Sequence, residues 1–82
     1  MNEKKLYEIV SRVLDVPLTE LDLNSSPKTI QSWDSFTGYI LLDEIEVEFN
    51  VKVTLDEALE ISNLGDYKIL LEKKGIKMVD NE

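Results

Sequence analysis

With 82 residues, a formal charge of −8 and neither cysteine nor histidine, the chain rules out much chemistry at once. Disulfides, thiolate metal sites and thiol nucleophiles are excluded, and the commonest general base and transition-metal ligand is missing. A domain of this size buries somewhat over ~60% of its unfolded surface, which supports one modest core and leaves little room for an enclosed multi-residue active centre.

Taken in chain order, residues 3–15 place Leu6, Ile9, Val10, Val13 and Leu14 at helical spacing, with Pro17 just beyond the end. Residues 16–33 hold both prolines and a run of Asn, Ser and Thr, and read as a long loop. Leu18, Leu21, Leu23, Ile30 and Trp33 are scattered through it and are candidates to pin it to the core. The second helix is expected over 35–49, with Asp34 as its N-cap. VEFNVKVTL, residues 47–55, alternates like a strand, but no other segment offers it a partner. It is assigned to the end of the second helix and an extended link.

Thr54 and Glu57 fit a capping box for a short third helix over about 55–61. Asn63 can cap a last helix, LGDYKILLEKK, closed by Gly75 at the position after the C-cap. The expected fold is all-α: a four-helix bundle with three longer helices, a short third one and a long loop between the first two. A single domain over 1–82 is expected, ordered over about 3–75 with a frayed tail at 76–82. The start MNEKKLYEIV is no signal peptide, and no apolar run approaches the ~18 residues of a membrane span, so a soluble cytoplasmic protein is expected.

The excess charge is concentrated. Residues 34–63 hold eight acids (Asp34, Asp43, Glu44, Glu46, Glu48, Asp56, Glu57 and Glu60) against Lys52 alone, while the two flanks are close to neutral. Such a field repels nucleic-acid backbones. It attracts basic protein surfaces, or serves only as a solvated face that keeps a small protein soluble.

On a helical wheel at roughly 100° per residue, with Leu41 at zero, the second helix has two apolar sides. Leu41, Ile45, Gly38, Phe49 and Leu42 make an ordinary core stripe. Phe36, Ile40 and Val47 gather on the far side, near Tyr39 and Asp43 and flanked by Glu44 and Glu48. An apolar stripe edged by charge has the make-up of a docking surface. It would equally suit a face covered by the long loop or by a second copy. Gly38 either admits a close neighbour or is merely tolerated.

Ser35 opens this helix, where unpaired backbone N–H groups and the helix dipole favour an anion. With no histidine to activate it, a triad-type nucleophile is implausible. Two readings stand: a serine that helps cap the helix, or a hydroxyl modified by another enzyme. An enzymatic role for the chain itself would need paired carboxylates such as Asp43 and Glu46, which diverge by roughly 60° on the wheel. No EF-hand pattern is present.

WDSF before an amphipathic helix, E-x-E-F ten residues on, the EFNVKV link, a short capped helix ending at Ile61 and NLGDY opening the last helix together resemble the acyl carrier protein family over residues 3–74. The resemblance implies a non-enzymatic, stand-alone monomeric module: a phosphoprotein whose Ser35 takes 4′-phosphopantetheine from coenzyme A through a Mg²⁺-dependent phosphopantetheinyl transferase. It gives Asp34 the role of helping to position the transferase metal, with no metal resident in the chain itself. Phe36, Tyr39, Ile40, Asp43, Glu44, Val47 and Glu48 fall on the partner-facing surface, and Leu41, Leu42, Ile45, Ala58 and Ile61 where a bound chain is sheltered. The implied partners are acyl- or aminoacyl-loading and acyl-using enzymes with basic docking surfaces. Phe36 where fatty-acid carriers usually have Leu, Thr37 and Ile40 at usually acidic positions, Asp43 at a usually apolar one, and Trp33 before the aspartate point to a specialised carrier, as in secondary-metabolite biosynthesis, rather than a housekeeping fatty-acid one. The alternative is an unmodified helical interaction module using the same surface.

Overall fold

The first helix, α1 (Asn2–Leu14), buries Leu6, Ile9, Val10 and Leu14 along one side. It stops because Asp15 turns into the left-handed region at φ 56°, and the Val16 N–H returns to the Ser11 carbonyl at 3.1 Å. The computed structural model describes residues 2–78. Within them the chain is helical: α1, a single 3₁₀ turn (Leu18–Glu20), α2 (Ser35–Phe49), α3 (Leu55–Leu59) and α4 (Leu64–Lys73), with no strand. The all-α architecture with one short helix matches the expectation from sequence.

The long first loop is anchored at three of the five candidate residues. Leu21, Ile30 and Trp33 are buried, whereas Leu18 and Leu23 stay exposed. Polar groups do the rest. Ser25 is buried and its Oγ accepts the Asp22 N–H, and the Ser32 hydroxyl donates to the Leu14 carbonyl at 2.6 Å, tying the loop to the end of α1. The loop also completes α4: the Leu64 and Gly65 N–H groups donate to the Ser25 and Leu23 carbonyls at 2.9 and 2.8 Å. A Cβ on Gly65 would stand 3.0 Å from the Leu23 carbonyl oxygen, so any larger residue at this junction would have to push the loop backbone away by a few tenths of an ångström.

α2 ends at Asn50 (φ 53°), and the Glu46 carboxylate then accepts the Val53 N–H at 2.7 Å, holding the extended link against the helix. The strand-like alternation of the link has a simple origin: Val51 and Val53 are half-buried and Lys52 points out. α3 carries the expected Thr54–Glu57 capping box but ends at Leu59 rather than near 61. Its last N–H groups, from Glu60 and Ile61, bond three residues back to Glu57 and Ala58, so the helix tightens into a turn. The Glu57 carboxylate also meets the Lys74 ammonium at 3.0 Å. The Thr54 N–H first, and Lys74 second, hold its pKa below the usual carboxylate range.

α4 closes on a Schellman motif. Gly75 sits at φ 90°, its N–H donating to the Glu72 carbonyl and that of Ile76 to the Leu71 carbonyl, while Ile76 packs on the core. The expected fraying from residue 76 is corrected here. Met78 is buried, its carbonyl accepts the Glu3 N–H at 3.1 Å, and Asn2 reaches the Lys77 carbonyl at 2.7 Å. The chain thus returns to the start of α1, and burial of a Met side chain outweighs the disorder usual near termini. The remainder of that expected tail, residues 79–82, lies outside the described residues.

The core joins α1, α2 and α4 with the loop. Leu6, Leu14, Leu41, Ile45, Leu64 and Leu71 are fully enclosed. Val13, Leu42 and Ile61 pack on its edge. Trp33 and Tyr67 stack with ring centroids 6.4 Å apart. Burial pushes the Tyr67 phenol up to about 12, from an ordinary 10.0. The fold therefore favours the neutral phenol, and this contribution is complete below pH ~10 and lost as pH rises through about 12. Melting of wild-type and Tyr67→Phe chains from pH 9 to 12 should show the wild type losing stability faster. Equal slopes would mean that the phenol is not held neutral by burial.

Candidate functional site

Asp34 and Ser35 stand at the start of α2. Asp34 is the N-cap. Its Oδ1 accepts the Phe36 and Thr37 N–H groups, each at 3.0 Å, and the Thr37 hydroxyl returns to the Asp34 N–H at 2.9 Å, closing a capping box. The Thr37 N–H, ahead of the other bonds, holds the Asp34 pKa below its ordinary value. The sequence reading left these helix-start N–H groups open for an anion. Two of them are instead occupied by Asp34 itself. Ser35, the first residue of the helix, is exposed.

Around α2 the side chains sort into four directions. Leu41, Ile45 and Phe49 face the core. Phe36 and Val47 are about three-quarters exposed, and Ile40 about one-third, so neither the long loop nor another described segment covers the second apolar stripe. Glu44 and Glu48 lie on the α1 side, where Arg12 pairs with Glu44 at 2.8 Å and Lys5 stands 3.9 Å from Glu48. Their charge is thus partly neutralised within the chain.

The fourth direction opens on a groove of about 560 Å³. From α2, Ser35, Gly38, Tyr39, Leu42, Asp43 and Glu46 line it. The opposite wall is the link and α3, with Val53, Leu55, Ala58 and Leu59, and Ile61 beyond; Trp33 and Tyr67 reach it from the core. The structure thus brings Ser35 together with Leu42, Ala58 and Ile61 in one groove. Leu41 and Ile45 do not line it: both are closed within the core. The wheel put Leu41, Leu42 and Ile45 on one broad stripe, and only the position of α3 divides core from groove.

Sequence reasoning missed Leu55 and Leu59 as groove walls, although their i, i+4 spacing on a capped helix was a usable signal. Both are about three-quarters exposed. It also took Trp33 as an anchor for the loop and a mark of the family, not as part of the groove wall. Of the two readings of Gly38, a close neighbour that demands glycine is absent, which leaves a glycine that packing merely tolerates. A Cβ there would meet Trp33 at 3.5 Å, an ordinary contact. Gly38→Ala should therefore stabilise the chain by about 0.5–1 kcal/mol, read as a raised Tm. A lowered Tm would mean that the Trp33 contact is tighter than it looks.

An exposed serine at a capped helix start thus opens on a partly apolar groove in an all-helical chain. A family model described as "phosphopantetheine attachment site" matches residues 4–68, and the chain belongs to that family. A search of curated proteins returned no match. Domains of this family receive covalent 4′-phosphopantetheine and are not themselves catalytic. The chain is thus a phosphopantetheine carrier protein of the acyl carrier type.

Proposed function

We propose that Ser35 is the attachment residue and that the chain delivers an acyl or aminoacyl group, held as a thioester on the 4′-phosphopantetheine arm, to partner enzymes. The observation that carries this reading is the exposed Ser35 at the mouth of the groove, beside a capping carboxylate. The arm supplies the thiol, which a chain without cysteine lacks. The chain supplies the address and partial shelter, the latter from Leu42, Ala58 and Ile61.

The outward stripe of Phe36, Ile40 and Val47, with Tyr39 and Asp43 beside it, is the docking surface in this reading. Its partners are a phosphopantetheinyl transferase and loading or acyl-using enzymes with basic surfaces, drawn by the acids of residues 34–63. The chain acts as a single cytoplasmic domain and as a monomer. Its departures from the fatty-acid pattern at Phe36, Thr37, Ile40 and Asp43 favour a specialised pathway.

Incubation with coenzyme A, Mg²⁺ and a broad-specificity transferase should add one phosphopantetheine to the intact mass, and Ser35→Ala should add none. Ser32 is the natural control, being half-buried with its hydroxyl committed to the Leu14 carbonyl. Labelling that persists in Ser35→Ala, or maps to Ser32, overturns the assignment. A chain that takes no label under any condition is an unmodified docking module.

A further inference from the structure

The indole N–H of Trp33 is a hydrogen-bond donor without a use inside the fold. Trp33 is 5% exposed and stacked on Tyr67, so its ring orientation is set by packing. It lines the groove beside Ser35 and Gly38. Its backbone N–H bonds the Ile30 carbonyl, but no acceptor among the described residues meets the indole nitrogen. The indole nitrogen is not one of the sealed polar atoms left unpaired, so its N–H is open to solvent along the groove and available to an acceptor there.

Gly38 stands directly over this edge. The atom nearest to a Cβ built on Gly38 is Trp33 Nε1, at 3.5 Å, followed by Cδ1 at 3.8 Å. Any side chain there would lie across the donor, and glycine leaves it open to the groove. Gly38 is three residues from Ser35 on the same side of α2, roughly 4.5 Å along the helix axis. A group attached at Ser35 and laid into the groove passes this point within its first few bonds.

On this basis, and resting on the Ser35 reading above, we infer that the Trp33 indole N–H is a docking point for the arm itself, donating to an amide carbonyl near the phosphate end of 4′-phosphopantetheine. Trp33 is then a positioning residue. It biases the arm toward the groove between α2 and α3 whatever cargo the thiol carries, and Gly38 is the opening through which the carbonyl approaches.

The chain has a single tryptophan, so its indole ¹H–¹⁵N signal is unambiguous. The full chain is compared before and after transferase treatment with coenzyme A, with the mass verified in each sample. In the modified wild type the indole proton should move downfield and exchange with solvent about two- to tenfold more slowly, as one net hydrogen bond implies. Gly38→Ala should accept the arm and show neither change. A verified mass gain with an unmoved indole signal overturns this inference and leaves Ser35 standing. An indole response in Gly38→Ala equal to the wild type also overturns it. A chain that gains no mass overturns both readings together.

Discussion

Ile45→Ala melts roughly 10 °C or more below the wild type, whereas Val47→Ala melts beside it. The two residues are neighbours on one helix and lose similar chemistry, so propensity cannot separate them. Burial does: Ile45 is 1% exposed and Val47 76%. Truncating an enclosed Ile costs about 2–5 kcal/mol through lost transfer energy and the cavity left behind. A chain of this size has only about 4–12 kcal/mol in total. An exposed side chain returns almost nothing on truncation, within about ±0.5 kcal/mol. Ile40, one-third exposed, should fall between them. Thermal melts of the three variants need no partner. Equal losses at Ile45 and Val47 would mean that the outer stripe is covered in solution, by a second copy of the chain, and the docking surface proposed on α2 would fall.

The second expectation concerns Asp34. Asp34→Asn should fold as the wild type does, while its modification at Ser35 slows on the order of 10–100-fold, the range typical when a group that orients a metal site is removed. Asparagine caps helices about as well as aspartate, and its side-chain oxygen can take the same Phe36 and Thr37 N–H groups. What it lacks is the carboxylate, whose Oδ1 makes these capping bonds and whose Oδ2 makes none of them. Asp34→Ala should lose the cap as well and melt several degrees lower. Melting separates the cap from the charge, and the rate of mass gain reads the charge alone. Wild-type modification of Asp34→Asn would show that the carboxylate serves only the helix. The lowered pKa adds a direction: both the cap and the charge are present above the carboxylate range and are lost as pH falls through the folded pKa.

Local signals were legible where one short-range cause dominates. The caps at Asp34, Thr54 and Asn63 and the glycine stop at Gly75 follow from side-chain oxygens meeting nearby N–H groups and from the one residue that adopts positive φ without strain. The two-sided character of the second helix was legible for the same reason, since periodicity alone fixes which residues share a face. Ser35 stood out by its place between a cap and an apolar run.

What periodicity cannot supply is the identity of the neighbour. Only tertiary structure decided that Leu41 and Ile45 are sealed in the core while Leu42, on the same stripe, faces a groove, because α3 stands across that groove from one edge of α2. The pairing of Glu44 with Arg12 and the placing of Glu48 near Lys5 likewise depended on where α1 lies. The return of Met78 to α1 joins residues 75 positions apart through Glu3, beyond any local rule. The sequence by itself determined the helices, their capped starts and the serine that opens the second one; the groove beside that serine, and the open indole N–H within it, exist only because distant segments meet there.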